Sequence, residues 1–167
     1  YTLLLGVATV FAFVPNLFEK LPFDLERDFM PISQIELIPC ALVVNPSLPV
    51  KTVADLVALA KSKPGQLTFG SPGNGTFHHL SAELFKSLTG TDMRHIPYGA
   101  GGPYGDLVSG QLPLMFDTFS PFLANVKAGK LRALAVSGKQ RRPQVPDVPT
   151  FTEAGVPAFE SFAWYGP

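Results

Sequence analysis

The sequence predicts an α/β fold built on a mostly parallel sheet. Three observations carry this. Short apolar runs alternate with segments whose apolar residues recur at helical spacing. Gly and Pro punctuate nearly every junction between them. The 167 residues are 46% hydrophobic and 16% charged, against about 25% charged in an average domain, so a sizeable core is expected and disorder is not.

Taken in order, Thr2-Leu3-Leu4-Leu5-Gly6-Val7 reads as a strand buried on both faces, followed by a loop. The apolar stretch through Pro15 is shorter than the roughly 20 residues a membrane span needs. It also lacks the basic start and small-residue cleavage site of a signal peptide. Ile35–Val44 reads as a long strand interrupted by Pro39, a residue that suits an edge or a crossover rather than a sheet centre. Thr52 and Asp55 form a capping-box variant, and Val53, Leu56, Val57 and Ala60 give the helix after it one apolar face. Pro64-Gly65 ends that helix.

Leu67–Gly70 reads as a strand, Ser71–Thr76 as a turn-rich loop, and Phe77–Leu88 as a helix. That helix carries Leu80, Leu84 and Leu88 on one side and Gly90 at its end. A short strand at His95–Pro97, a glycine loop at 99–102 and a helix at Tyr104–Ser109 follow. Then come a strand Leu114–Phe116 ending at Asp117, a helix Pro121–Ala128 and a strand Leu131–Val136. Ser137–Pro149 is a proline-punctuated loop, and Thr150–Gly155 is a capped helical turn.

Open α/β sheets bind ligands at the carboxyl ends of their strands. Three loops here lie at such ends: 70–76, 98–102 and 117–120. In the first, Gly73 and Gly75 allow close backbone approach, and Thr76 opens a helix whose free N–H groups face the loop. That arrangement suits a carboxylate or a phosphate. It is neither a P-loop, since the Lys-Ser/Thr ending is missing, nor a dinucleotide fingerprint. A tight strand–helix turn capped by Thr76 is the competing reading.

His78 and His79 diverge by about 100° on a helix, so one faces the loop and the other packs or meets solvent. With His95 they match no zinc spacing, and no metal or cofactor is expected. Ser71, His79 and Asp117 compose a possible triad, but the nucleophile-elbow pattern fails around Ser71. A hydrolase or transferase using a His79/Asp117 pair is the alternative function. Asp117 is otherwise a cap for the helix near Pro121, and Tyr98 and Tyr104 are core or cleft aromatics. The lone Cys40 sits in an apolar run and reads as an inert buried thiol. Thirteen basic and thirteen acidic residues leave no net charge, which argues against nucleic acid.

Several segments resemble one family. They are Leu42–Leu56, Ala60–Leu67, Gly73-Asn74-Gly75-Thr76 with His79-Leu80, and Ile96-Pro97-Tyr98. Gly110-Gln111, Leu114–Asp117, Ala128–Val136 and Pro146–Thr150 continue it in order. Together they resemble the substrate-binding proteins of tripartite tricarboxylate transporters, the Bug receptors. The resemblance implies a type II periplasmic binding protein architecture, two lobes joined by crossover strands, with the first lobe incomplete. The expected division is residues 1–42 and 136–167 in the partial first lobe and 43–135 in the second.

It further implies a non-catalytic periplasmic receptor that carries a small organic acid to membrane permease subunits, its signal peptide lying in a longer parent. The ligand set so implied is Ser71, Gly73, Asn74, Gly75, Thr76, His79, Tyr98 and Asp117. Two departures stand out. Gly99-Ala100 replace a common Lys-Gly, and the first-lobe loop Val7–Pro15 is apolar where relatives are small and polar. An apolar wall there disfavours a tricarboxylate and favours a smaller or partly aromatic acid.

Overall fold

The structure is a computed structural model that describes residues 2–166. Its sheet contains β1 (Gly6–Val7), β2 (Glu36–Val44), β3 (Thr68–Ser71), β4 (Arg94–Pro97), β5 (Leu114–Thr118), β6 (Arg132–Val136) and β7 (Phe162–Gly166). The strand order is β1-β7-β2-β5-β3-β4, with β6 on β2 as a branch.

The branch exists because β2 serves two sheets in succession. Its first half, Glu36–Pro39, pairs antiparallel with β7. From Cys40 onward it pairs antiparallel with β5, and from Ala41 also with β6. Pro39, which has no N–H to offer a ladder, stands at the exchange. The next amide, Cys40 N–H, donates to Ser161 O at 3.1 Å and to Ser137 Oγ at 2.7 Å. Ser137 Oγ in turn donates to Ser161 O at 2.6 Å, tying β2, β6 and β7 together at one point. The sheet is therefore mixed. Among the described strand pairs only β3–β4 and β3–β5 are parallel, because the crossover strand runs against all three of its partners, β5, β6 and β7.

Alternation along β2 explains its unbroken apolar run. Cys40, Leu42 and Val44 enter one core, and Ala41 and Val43 enter the other. Two helical turns, α1 (Val14–Leu17) and α2 (Leu25–Asp28), precede the core helices: the first core lies under α3 (Val53–Ser62) and α4 (Phe77–Thr89), the second under α5 (Tyr104–Ser109) and residues of the 119–131 segment. Helix α3 begins at the expected capping box: Thr52 Oγ1 accepts Asp55 N–H, and Asp55 Oδ2 accepts Thr52 N–H. Burial pushes the Cys40 thiol up to about 12, so it stays protonated and inert at neutral pH.

Four expectations are corrected. The N-terminal apolar run is a strand only at Gly6–Val7, and Leu3, Leu4 and Leu5 are exposed. The segment after it coils into a π-helical turn Thr9–Phe13 and a helical turn Val14–Leu17 instead of a loop. The sheet, expected to be mostly parallel, is mixed; on α4 the buried residues are Phe77, Ser81, Ala82 and Phe85, and Leu88 of the leucine row is 40% exposed. Strand β7 carried no signal in the sequence beyond its aromatics.

Candidate functional site

The turn after β3 and the first turn of α4 are built as one unit. Gly75 adopts φ +71°, the left-handed region. A Cβ there would also lie 2.3 Å from Leu17 Cδ1, so the N-terminal segment closes directly over the loop. Thr76 is the N-cap of α4, its Oγ1 accepting His79 N–H at 3.4 Å and donating to Gly73 O at 2.7 Å. The N–H groups of Phe77 and His78 find no acceptor among the described residues. These are the orphan donors of a helix start. They lie at the positive end of a thirteen-residue helix, beside a glycine loop.

Ser71 supports this loop from below. It is fully buried, and its Oγ accepts Gly73 N–H at 3.0 Å and donates to Gly73 O at 2.9 Å. The same oxygen lies 2.6 Å from His95 Nε2. Tyr98 N–H donates to Ser71 O, which brings the 98–102 loop beside the first one. The Tyr98 hydroxyl donates to Asp106 Oδ2 at 2.8 Å and is thereby fixed. Asn74 is exposed at the loop tip.

The two adjacent histidines divide as their 100° offset requires. His79 faces the loop: its Nδ1 accepts Gly75 N–H at 3.1 Å. Its ring stacks on His95 with centroids 4.1 Å apart, and Phe69 lies beside both rings, 5.0 Å from His95 and 6.4 Å from His79. His78 turns to Asp117, Nε2 to Oδ1 at 2.9 Å. Asp117 is buried, and both its oxygens are engaged. Oδ2 accepts the Tyr104 hydroxyl, and Oδ1 also accepts Thr118 N–H at 2.6 Å. Burial first, and then the Asp117 hydrogen bond, push the Tyr104 phenol up, so it remains a donor at any physiological pH.

This geometry corrects the catalytic alternative. Asp117 pairs with His78, not His79, and His79 is spent on the loop backbone. Ser71 meets His95 but is sealed from solvent, so the proposed Ser71/His79/Asp117 triad is not assembled. Asp117 is not a helix cap either. Among the described residues no cluster of His, Cys, Asp and Glu is placed to hold a metal ion, and no helix is long and apolar enough to cross a membrane.

Sequence reasoning missed His95, His78 and Leu17 as neighbours of the site. His95 arrives because β4 pairs parallel with β3, setting it opposite Phe69. No spacing in the chain encodes that register. A separate concavity of about 750 Å³, lined by Leu3, Leu4, Phe11, Phe29, Ile32 and Trp164 among others, includes none of the loop residues.

A mixed sheet with a crossover strand and a glycine loop at a strand end is the arrangement expected of one lobe of a periplasmic-binding-protein fold. Comparison with known proteins agrees. Residues 1–167 match the family model of the tripartite tricarboxylate transporter family receptor, TctC. The chain belongs to that receptor family. It is 34% identical over 167 residues to Protein BugT of Bordetella pertussis, covering 99% of this chain and 51% of that one. An R. palustris protein solved with adipate is 35% identical, with a TM-score of 0.86 over 97% of this chain and 55% of the other. MatC from Rhodopseudomonas palustris with bound malate is 29% identical, again with a TM-score of 0.86, 97% of this chain and 55% of that one being covered. The chain thus spans about half the length of the relatives it matches.

Proposed function

We propose that this chain is the anion-holding part of a periplasmic solute receptor. It grips a small organic carboxylate between two lobes and delivers it to the membrane permease subunits of a tripartite tricarboxylate transporter. The second lobe is residues 43–135, and 1–42 with 136–167 belong to the first. The observation that carries the reading is the loop 71–76. Amides of α4 without acceptors among the described residues, its positive end and the glycine backbone converge there. The adipate- and malate-bound neighbours support the ligand class.

In this reading Gly73, Asn74, Gly75 and Thr76 supply the first carboxylate contacts. Ser71 shapes the loop, His79 and Tyr98 flank it, and Asp117 contributes by holding His78 and Tyr104. Leu17 against Gly75 places an apolar group at the loop, which favours mono- and dicarboxylates over a tricarboxylate. Ligand capture then shifts the lobes toward a closed form that the permease reads.

A thermal-shift screen of the full-length protein tests this. A saturating mono- or dicarboxylate, at about a hundred times its Kd, adds about 2.7 kcal/mol to stability and raises the Tm measurably. Silence from every carboxylate overturns the receptor reading. A larger shift with citrate than with malate or adipate overturns the apolar-wall argument.

A further inference from the structure

Gly75 spends its amide hydrogen on a side chain of its own loop, His79 Nδ1. An imidazole nitrogen that accepts a hydrogen bond carries no proton. His79 is therefore held as the neutral ring, its proton on Nε2, 3.8 Å from Glu83 Oε1. Adding a proton to Nδ1 would do two things together. It would remove the acceptor and release the Gly75 amide beside the free amides of Phe77 and His78. It would also place a positive charge three residues past the N-cap of α4. Both changes favour an anion in the loop. Without an anion the same charge is opposed by the positive end of the helix.

We propose that anion capture at the 71–76 loop is coupled to uptake of one proton, taken from solvent onto His79 Nδ1. This rests on the carboxylate reading of the loop. The groups facing His79 fit the assignment. On its own helix, Glu83 stands within reach of Nε2, and Lys86 holds both Glu83 oxygens at 2.8 and 3.0 Å. From β4, His95 stacks on the ring. Burial holds His95 below the ordinary histidine range, so His95 brings no competing charge to the ring it stacks on. From β3, Ser71 and Phe69 add no charge. The His78–Asp117 pair is engaged with itself and Tyr104. By reciprocity, a bound anion that favours the charged ring is itself bound more tightly when the ring is charged.

Calorimetric titration of the full-length protein with malate and adipate, at about pH 6 and pH 8, tests the coupling. Each titration is run in two buffers of different ionisation enthalpy to count protons. Any residual protonation of the probes' second carboxyl at pH 6 is common to wild type and H79Q, so the difference between the two proteins reports His79. If the anion raises the proton affinity of His79 tenfold, binding is tighter at pH 6 than at pH 8 by up to about tenfold, with net proton uptake between. H79Q keeps an amide oxygen for Gly75, since Gln is an ordinary partner at this capping position, but cannot be protonated. It is expected to bind with equal affinity at both pH values and no uptake. H95Q, whatever its affinity, is expected to keep the wild-type slope. Wild-type binding without proton uptake, or a slope that survives in H79Q, overturns this inference alone. No binding of either carboxylate at either pH overturns the receptor reading and this inference with it.

Discussion

At the scale of single residues, Gly75 answers to backbone and packing together. Its φ of +71° costs an L side chain about 1–2 kcal/mol, and a Cβ would also press on Leu17. Gly75→Ala is expected to destabilise by about that amount in denaturant unfolding, and Leu17→Ala in the same chain to relieve only the packing part. His95 gives a second prediction, with a definite sign. Its folded pKa lies below the ordinary value, chiefly because it is partly buried. The unfolded chain therefore binds the proton more readily, and stability is lost as pH falls below the ordinary histidine range of about 6.5. The Tm should drop between pH 7 and 5, and His95→Gln should flatten that drop. A His95→Gln variant with an undiminished slope would contradict the assignment. The glycine loop was legible in the chain because Gly-x-Gly before a capping Thr has a backbone meaning. His95 was not, because its place depends on how β4 registers against β3.

At the scale of elements, α4 shows where helical periodicity misleads. The row Leu80, Leu84, Leu88 and the row Phe77, Ser81, Ala82, Phe85 both repeat at helical spacing. The helix buries the second, whose Phe85 packs on Phe116, Phe151 and Phe159 beneath. Small Ser81 and Ala82 let the helix approach the sheet, and Ser81 Oγ meets Ser161 Oγ at 2.7 Å. Phe85→Ala should cost about 3–5 kcal/mol, and Leu88→Ala less than about 1. Equal costs in urea titrations would show that the burial assignment is wrong. Capped helix starts were readable at Thr52 and Thr76, where the hydrogen-bond chemistry lies within four residues.

At the scale of the molecule, β2 is the organising strand, and its change of partners at Pro39–Cys40 separates a three-stranded part from the five-stranded one. The smaller part leaves Leu3, Leu4, Leu5, Met30, Ile32 and Leu37 exposed around the apolar concavity. So large an apolar face drives association. These 167 residues expressed alone should elute above monomer mass in light-scattering chromatography, and Leu4→Lys with Ile32→Lys should lower that mass. A monodisperse wild-type monomer would refute the expectation. The sequence by itself determined the α/β class, the capped helices, an interruption of the long strand at Pro39 and the glycine turn before Thr76, because each is a short-range consequence of period, cap or turn. Tertiary structure alone decided the mixed strand directions, the partner of Asp117, the His79–His95 stack and the seat of Leu17. Those depend on residues distant in the chain meeting across strands and helices, and no local spacing carries that information.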